Sequence, residues 1–164
     1  MEFLCETALL THGLCSVSQE ELHAAWPFSE SFLVWVDKGT LVRRTMEDFL
    51  PFRARSAEVC RIDCESLDRA LRDGVSGALT ASGTMAACEK LCVPLAVTCG
   101  MGGIGDIRGE ELCPDLTALT RCPAALLATS PKDMLDIPET IAWLRNHGVH
   151  VVGPAFTGYV FHRP

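Results

Sequence analysis

The chain has 164 residues, 48% of them hydrophobic, and a formal net charge of −7. That length supports one core burying roughly two-thirds of the unfolded chain's surface, and the acidic balance argues against a nucleic-acid partner, which a basic face normally holds. No apolar run approaches the roughly 20 residues that span a bilayer, and Met1-Glu2-Phe3-Leu4 lacks the basic start of a secretory leader, so a single cytoplasmic domain over residues 1–164, without membrane attachment, is expected.

Phe3 to Leu10 reads as a first strand, followed by the turn Thr11-His12-Gly13. Glu6 is the one acid in that apolar run. It is either a residue on a polar strand face or a desolvated carboxyl whose raised pKa suits proton delivery near neutral pH. Ser18 opens a short helix to about Trp26 with a capping-box pattern. Ser31 to Val36 is a strand, Asp37-Lys38-Gly39 a hairpin turn and Thr40 to Val42 the returning strand. Met46 to Leu50 reads as a short helix ended by Pro51, and Ala57 to Ile62 as a strand that stops at Asp63. A helix follows over Ser66 to Asp73. Gly77 to Thr80 is a short strand leading through Ser82-Gly83-Thr84 into a helix to about Leu91, whose hydroxyls and amides suit either an anion or ordinary capping.

Chemistry concentrates between Thr98 and Pro138. The apolar run Pro94 to Val97 ends in Thr98-Cys99-Gly100-Met101-Gly102-Gly103-Ile104-Gly105, a strand opening into a loop whose backbone can approach a ligand. Glu110, Glu111 and Asp115 follow. A second apolar run, Ala124 to Ala128, delivers Thr129-Ser130-Pro131-Lys132, and Asp136-Ile137-Pro138 reads as an N-cap with proline in the first turn. Lys132 therefore stands just past a strand's carboxyl end, where open α/β sheets collect ligands. Glu139 to Asn146 is an amphipathic helix ended by Gly148, and Val149 to Val152 a last strand. Strands alternating with helices, plus one antiparallel hairpin, predict a three-layer α/β/α fold on a mixed central sheet. The nine cysteines read as reduced, mostly buried thiols. A zinc site from the i, i+4 pairs Cys60/Cys64 and Cys88/Cys92 is the weaker reading, because the tight knuckles of structural zinc are absent.

Several of these stretches resemble the pseudouridine-5′-phosphate glycosidase family. Cys5-Glu6-Thr7 through His12-Gly13-Leu14 is similar to that family's L-E-S-T-x-x-x-H-G-M, Gly77 through Met85 to its G-A-T-T-V-x-x-T-M, and Thr98 through Ile104 to its T-G-G-I-G-G-V. The most specific piece, Lys132-Asp133-Met134-Leu135-Asp136-Ile137-Pro138, resembles K-S-I-L-D-[IL]-P. The resemblance implies that Glu6 is a proton donor and that Lys132 forms a Schiff base. It further implies that Arg61, Thr80, Ala81, Cys113 and Asp115 bind substrate and that Glu111 holds Mn²⁺. The implied partner is a small sugar phosphate or nucleotide, with assembly as a homo-oligomer.

Two departures are visible. Glu58-Val59-Cys60-Arg61-Ile62-Asp63 stands where the family has K-V-S-R-R-D, so a substrate-binding lysine is an acid here. The family's chains also continue into a C-terminal region that this sequence lacks. These favour a non-catalytic descendant that binds a sugar phosphate or a partner, whereas Glu6 and Lys132 together favour an enzyme that cleaves a C-glycosidic bond.

Overall fold

The computed structural model describes residues 2–105, 112–155 and 158–164. In chain order the elements are β1 (Leu4–Cys5), a π-helical turn (Leu9–Gly13), α1 (Gln19–Ala25), β2 (Leu33–Asp37), β3 (Thr40–Arg44) and α2 (Met46–Arg53). Next come β4 (Cys60–Ile62), α3 (Leu67–Arg72), β5 (Gly77–Leu79), α4 (Ala81–Leu91), β6 (Leu95–Met101) and α5 (Pro114–Arg121). The chain closes with β7 (Ala125–Pro131), α6 (Ile137–Asn146), β8 (His150–Ala155) and β9 (Gly158–His162). Among the described residues no helix is long and apolar enough to cross a membrane.

Local chemistry accounts for many boundaries. Ser18 Oγ accepts from the Glu21 amide at 3.1 Å while Glu21 Oε2 accepts from the Ser18 amide at 2.8 Å, so two of the orphan N–H groups at the start of α1 are paired. The β2–β3 hairpin turns on Lys38 and Gly39, both left-handed at φ 48° and 74°, as a two-residue turn of the right twist requires. Asp136 accepts from the Glu139 amide and caps α6. Helix α2 does not stop at Pro51 but runs through it to Arg53. Phe49 and Phe52 on its buried face pack against Trp35 with ring centroids 5.5 Å away in each case, and that packing outweighs the missing backbone bond.

Among the described residues, the nine strands lie in one mixed sheet, ordered β4-β5-β2-β1-β6-β7-β9-β8, with β3 paired to β2. Side chains alternate across it. Val34 and Val36 belong to the core beneath α3 to α6, whereas Leu33 and Trp35 belong to a second core with α1 and α2, so helices lie on both faces and give the three layers. Two expectations need correction. The first strand is only two residues long, because the chain leaves the sheet after Cys5 and coils into the π-helical turn. Val149 to Val152 is not the last strand, since β9 follows and inserts antiparallel between β7 and β8.

One feature of the topology matters most for function. β1 runs parallel to β2 and β6, while β5 runs antiparallel to β2 and parallel to β4. Since β3 occupies one whole edge of β2, β1 and β5 share the other and meet carboxyl end to carboxyl end. Thr7, fully buried, fastens the junction: its hydroxyl donates to Val34 O at 2.7 Å and accepts from the Leu79 amide at 3.0 Å, and its own amide bonds Leu79 O at 3.2 Å.

Candidate active site

The meeting of opposed strands brings five carboxyl ends to one place. Those of β1, β6 and β7 arrive from one side, and those of β4 and β5 from the other. Between them lies a cleft of about 620 Å³, and Glu6, Arg61, Thr80, Ala81, Cys113, Asp115 and Lys132 all line it. The candidate site residues, scattered over more than a hundred positions, thus converge without exception among those described. Glu111, expected to hold Mn²⁺, lies outside the described residues.

Glu6 is the best-defined group. Its backbone N–H donates to Val97 O at 2.9 Å, continuing the β1–β6 ladder, and its Oε2 pairs with the Thr98 hydroxyl. Burial pushes its pKa above the ordinary carboxyl value; the Thr98 bond opposes the shift, Asp115 adds to it, and Lys132 and Arg61 counter it. Thr98 has one hydroxyl proton but two acceptors in reach, Glu6 Oε2 and Gly100 O, the latter at 3.2 Å. Its proton goes to one of the two at a time, and the bond to Glu6 Oε2 is the shorter. Thr98 had no assigned role in the sequence reading. Its signal was a hydroxyl at an inward strand position, 7% exposed, in register with apolar Ala96.

Lys132 follows directly on β7, its amide bonded to Met101 O at 3.1 Å, which fixes the stem beside Gly100. The side chain is exposed to the cleft. Arg61 comes from the middle of β4, likewise exposed.

Asp115 turns out to be a clamp. Its Oδ1 accepts the Ser82 amide at 2.9 Å and its Oδ2 the Gly102 amide at 2.7 Å, so one carboxylate ties the start of α4 to the loop after β6. A Cβ at 102 would lie 2.2 Å from Cys113 Sγ and 3.1 Å from Asp115 Oδ2, so a larger residue there would displace the Cys113 side chain and press on the clamp. Gly83 is similarly constrained, because a Cβ would lie 2.2 Å from Ile62 O, and that close approach seats α4 against the end of β4. The Gly83 amide is taken by Thr80 Oγ1 at 3.3 Å. The start of α4 is therefore capped from within: of the two sequence readings, ordinary capping is the one observed at Ser82 and Gly83. The loop's far end is held as well, Thr140 Oγ1 accepting from the Ile104 amide at 3.0 Å and Ile104 O from the Asp136 amide at 2.8 Å.

Among the described residues, no group of three or more His, Cys, Asp and Glu converges to hold a metal ion. Cys60 and Cys64 sit at a strand start and in a turn rather than on one helical face. All nine cysteines are free, and only Cys5, Cys88 and Cys122 are buried, fewer than expected. Burial raises those thiols to about 12, 12 and 11 respectively, which makes them inert packing groups.

Comparison with known proteins adds a family. The profile described as Indigoidine synthase A like protein matches residues 41–161. The pseudouridine-5′-phosphate glycosidase of Methylobacterium nodulans is 32% identical over 65% of this chain and 32% of its own. That of Dinoroseobacter shibae is 27% identical over 90% of this chain and 51% of its own. Among solved structures, prealnumycin C-glycosynthase AlnA in complex with ribulose 5-phosphate superposes with a TM-score of 0.71 at 23% identity, over 90% of this chain and 50% of that one, a likeness of fold. This chain thus spans about half the length, or less, of these proteins.

Proposed function

This chain belongs to the Indigoidine synthase A like protein family, and on that premise we propose that it cleaves the C-glycosidic bond of pseudouridine 5′-phosphate to uracil and ribose 5-phosphate through an imine on Lys132. The names of the relatives supply the substrate class. The observation that carries the reading is the convergence, in one cleft, of a buried carboxyl and an accessible amine from the ends of two parallel strands, β1 and β7, that flank β6.

The bond to be broken joins two carbons, so protonating a glycosidic oxygen, as in two-carboxylate glycosidases, does not suffice. Glu6 gives its proton to the ribose ring oxygen as the ring opens, and the Lys132 amine adds to C1′. The nitrogen, cationic on adding, gives up a proton and the aglycone carbon bonded to C1′ takes one up. As the carbon–carbon bond breaks, its electron pair goes to the aglycone and the nitrogen lone pair closes the C=N bond. Water hydrolyses the imine, releasing ribose 5-phosphate and restoring the amine. Arg61 supplies positive charge for the phosphate, and the burial that raises the Glu6 pKa matches its role as donor.

The resemblance also implies Mn²⁺ at Glu111, but the described donors fit a metal poorly. Both Asp115 oxygens already accept backbone N–H groups, and Cys113 offers a soft sulfur where Mn²⁺ prefers hard oxygen. No step above runs through a metal. Incubation of the purified chain with pseudouridine 5′-phosphate tests the proposal: uracil release that Lys132→Ala abolishes is expected, and release undiminished in that variant would refute it.

A further inference from the structure

The strands β6 and β7 present two unlike faces. Ala96, Leu126 and Ala128 are fully buried in the core that α4 to α6 cover, whereas Leu95, Val97 and Leu127, their neighbours in the same strands, are only half-buried. These three help line a second groove, of about 510 Å³, together with Phe3, Leu10 and Phe28. Phe28 is 40% exposed and stands edge-on to Phe3 and Trp26, each 5.5 Å away between ring centroids. The groove is therefore apolar at floor and rim.

Parallel strands are ordinarily buried on both faces, because a one-sided parallel sheet leaves aliphatic side chains in water. Helices α1 and α2 meet that need over β1, β2 and β5, where Leu33, Trp35 and Ala78 are buried. Over β6 and β7 the described elements leave it unmet. The Dinoroseobacter shibae relative carries about as much chain again as the part this protein matches. Finally, Glu6, Leu9 and Cys99 line both this groove and the cleft that holds Lys132.

We propose that this groove seats a second stretch of polypeptide, equivalent to the half of the relatives that this chain does not match. It packs an apolar element on the outer face of β6 and β7. Its other consequence is chemical, since covering the groove closes the Glu6 side of the cleft to water and deepens the burial that raises the carboxyl's pKa.

The test co-expresses this chain with the unmatched half of the Dinoroseobacter shibae relative and measures assembly by gel filtration with light scattering. The expected result is that the chain alone, whatever its own assembly, binds the dye anilinonaphthalene sulfonate, and that the added half joins it in equimolar amount, in a complex in which dye binding is lost. Leu127→Lys and the rim variant Phe28→Asp should each weaken the complex at least tenfold, with far-ultraviolet circular dichroism unchanged for at least the rim variant. A homodimer that these substitutions split would overturn the proposal by making a second copy the occupant, and failure to form any complex with the added half would overturn it too. Trapping of ribose 5-phosphate on Lys132 reads the chemistry separately, so either idea can fail alone.

Discussion

Replacing Thr7 by valine keeps the shape of the side chain and removes the hydroxyl that joins the two opposed halves of the sheet. In the wild type that oxygen donates to Val34 O at 2.7 Å and accepts from the Leu79 amide at 3.0 Å, with no exposure to water. Valine leaves the Leu79 N–H without a partner in a dry site, which costs about 1–3 kcal/mol, and forfeits the bond to Val34 O, worth about 1 kcal/mol more. A loss of about 3 kcal/mol is expected, which for a domain of this size lowers the melting temperature by about 6–12 °C. Thr7→Ser keeps the hydroxyl and should lose only about 1 kcal/mol for the missing methyl group. Urea denaturation of the three proteins, read by circular dichroism, measures the difference. If Thr7→Val unfolds at the same urea concentration as wild type, the junction is held by something other than this hydroxyl.

Further predictions follow from the same geometry. In Asp115→Asn one amide oxygen can accept one backbone N–H, but the NH₂ group faces the other donor, so a loss of about 2 kcal/mol is expected; loss of the negative charge should also move the Glu6 titration to lower pH in the activity profile, and an unmoved profile would show that Asp115 does not act on Glu6. Glu6 has a folded pKa above its unfolded one, so its ionisation costs native stability as pH rises from the unfolded value of 4.5 through the folded value, and none below that window. Glu6→Gln should therefore raise the melting temperature at pH 8 and leave it unchanged near pH 4; a gain confined to acid pH would reverse the sign and refute the burial argument. Mn²⁺, if held by Glu111, should raise the melting temperature of wild type and not of Glu111→Ala, and equal responses in both would remove that ligand.

Much of the site could be read locally. The N-cap Asp136, the hairpin at Lys38-Gly39 and the position of Lys132 beyond an apolar run each follow from a few adjacent residues, and the structure places all three as expected. What could not be read is register. The head-on meeting of β1 and β5 depends on both pairing with one edge of β2, across 72 positions between Thr7 and Leu79, and no local pattern carries that. Thr7 itself looks like any strand threonine. Arg53 is a second case: an arginine is ordinarily solvated, yet this one is 8% exposed because its guanidinium donates to Leu10 O, Leu14 O and Val17 O, carbonyls within and beyond the π-helical turn. Asp115 was expected to bind substrate from the family resemblance, and only the folded loop reveals that its oxygens accept backbone amides.

The central claim, that Lys132 is a nucleophile served by Glu6, is tested most directly by borohydride reduction of the protein with ribose 5-phosphate. Reduction converts a reversible imine into a stable secondary amine, and mass spectrometry of the digested protein locates it. We expect one adduct, on the peptide containing Lys132, absent from Lys132→Ala. Adducts spread evenly over Lys38, Lys90 and Lys132, or none on Lys132, would contradict the claim and leave the cleft a binding site without chemistry.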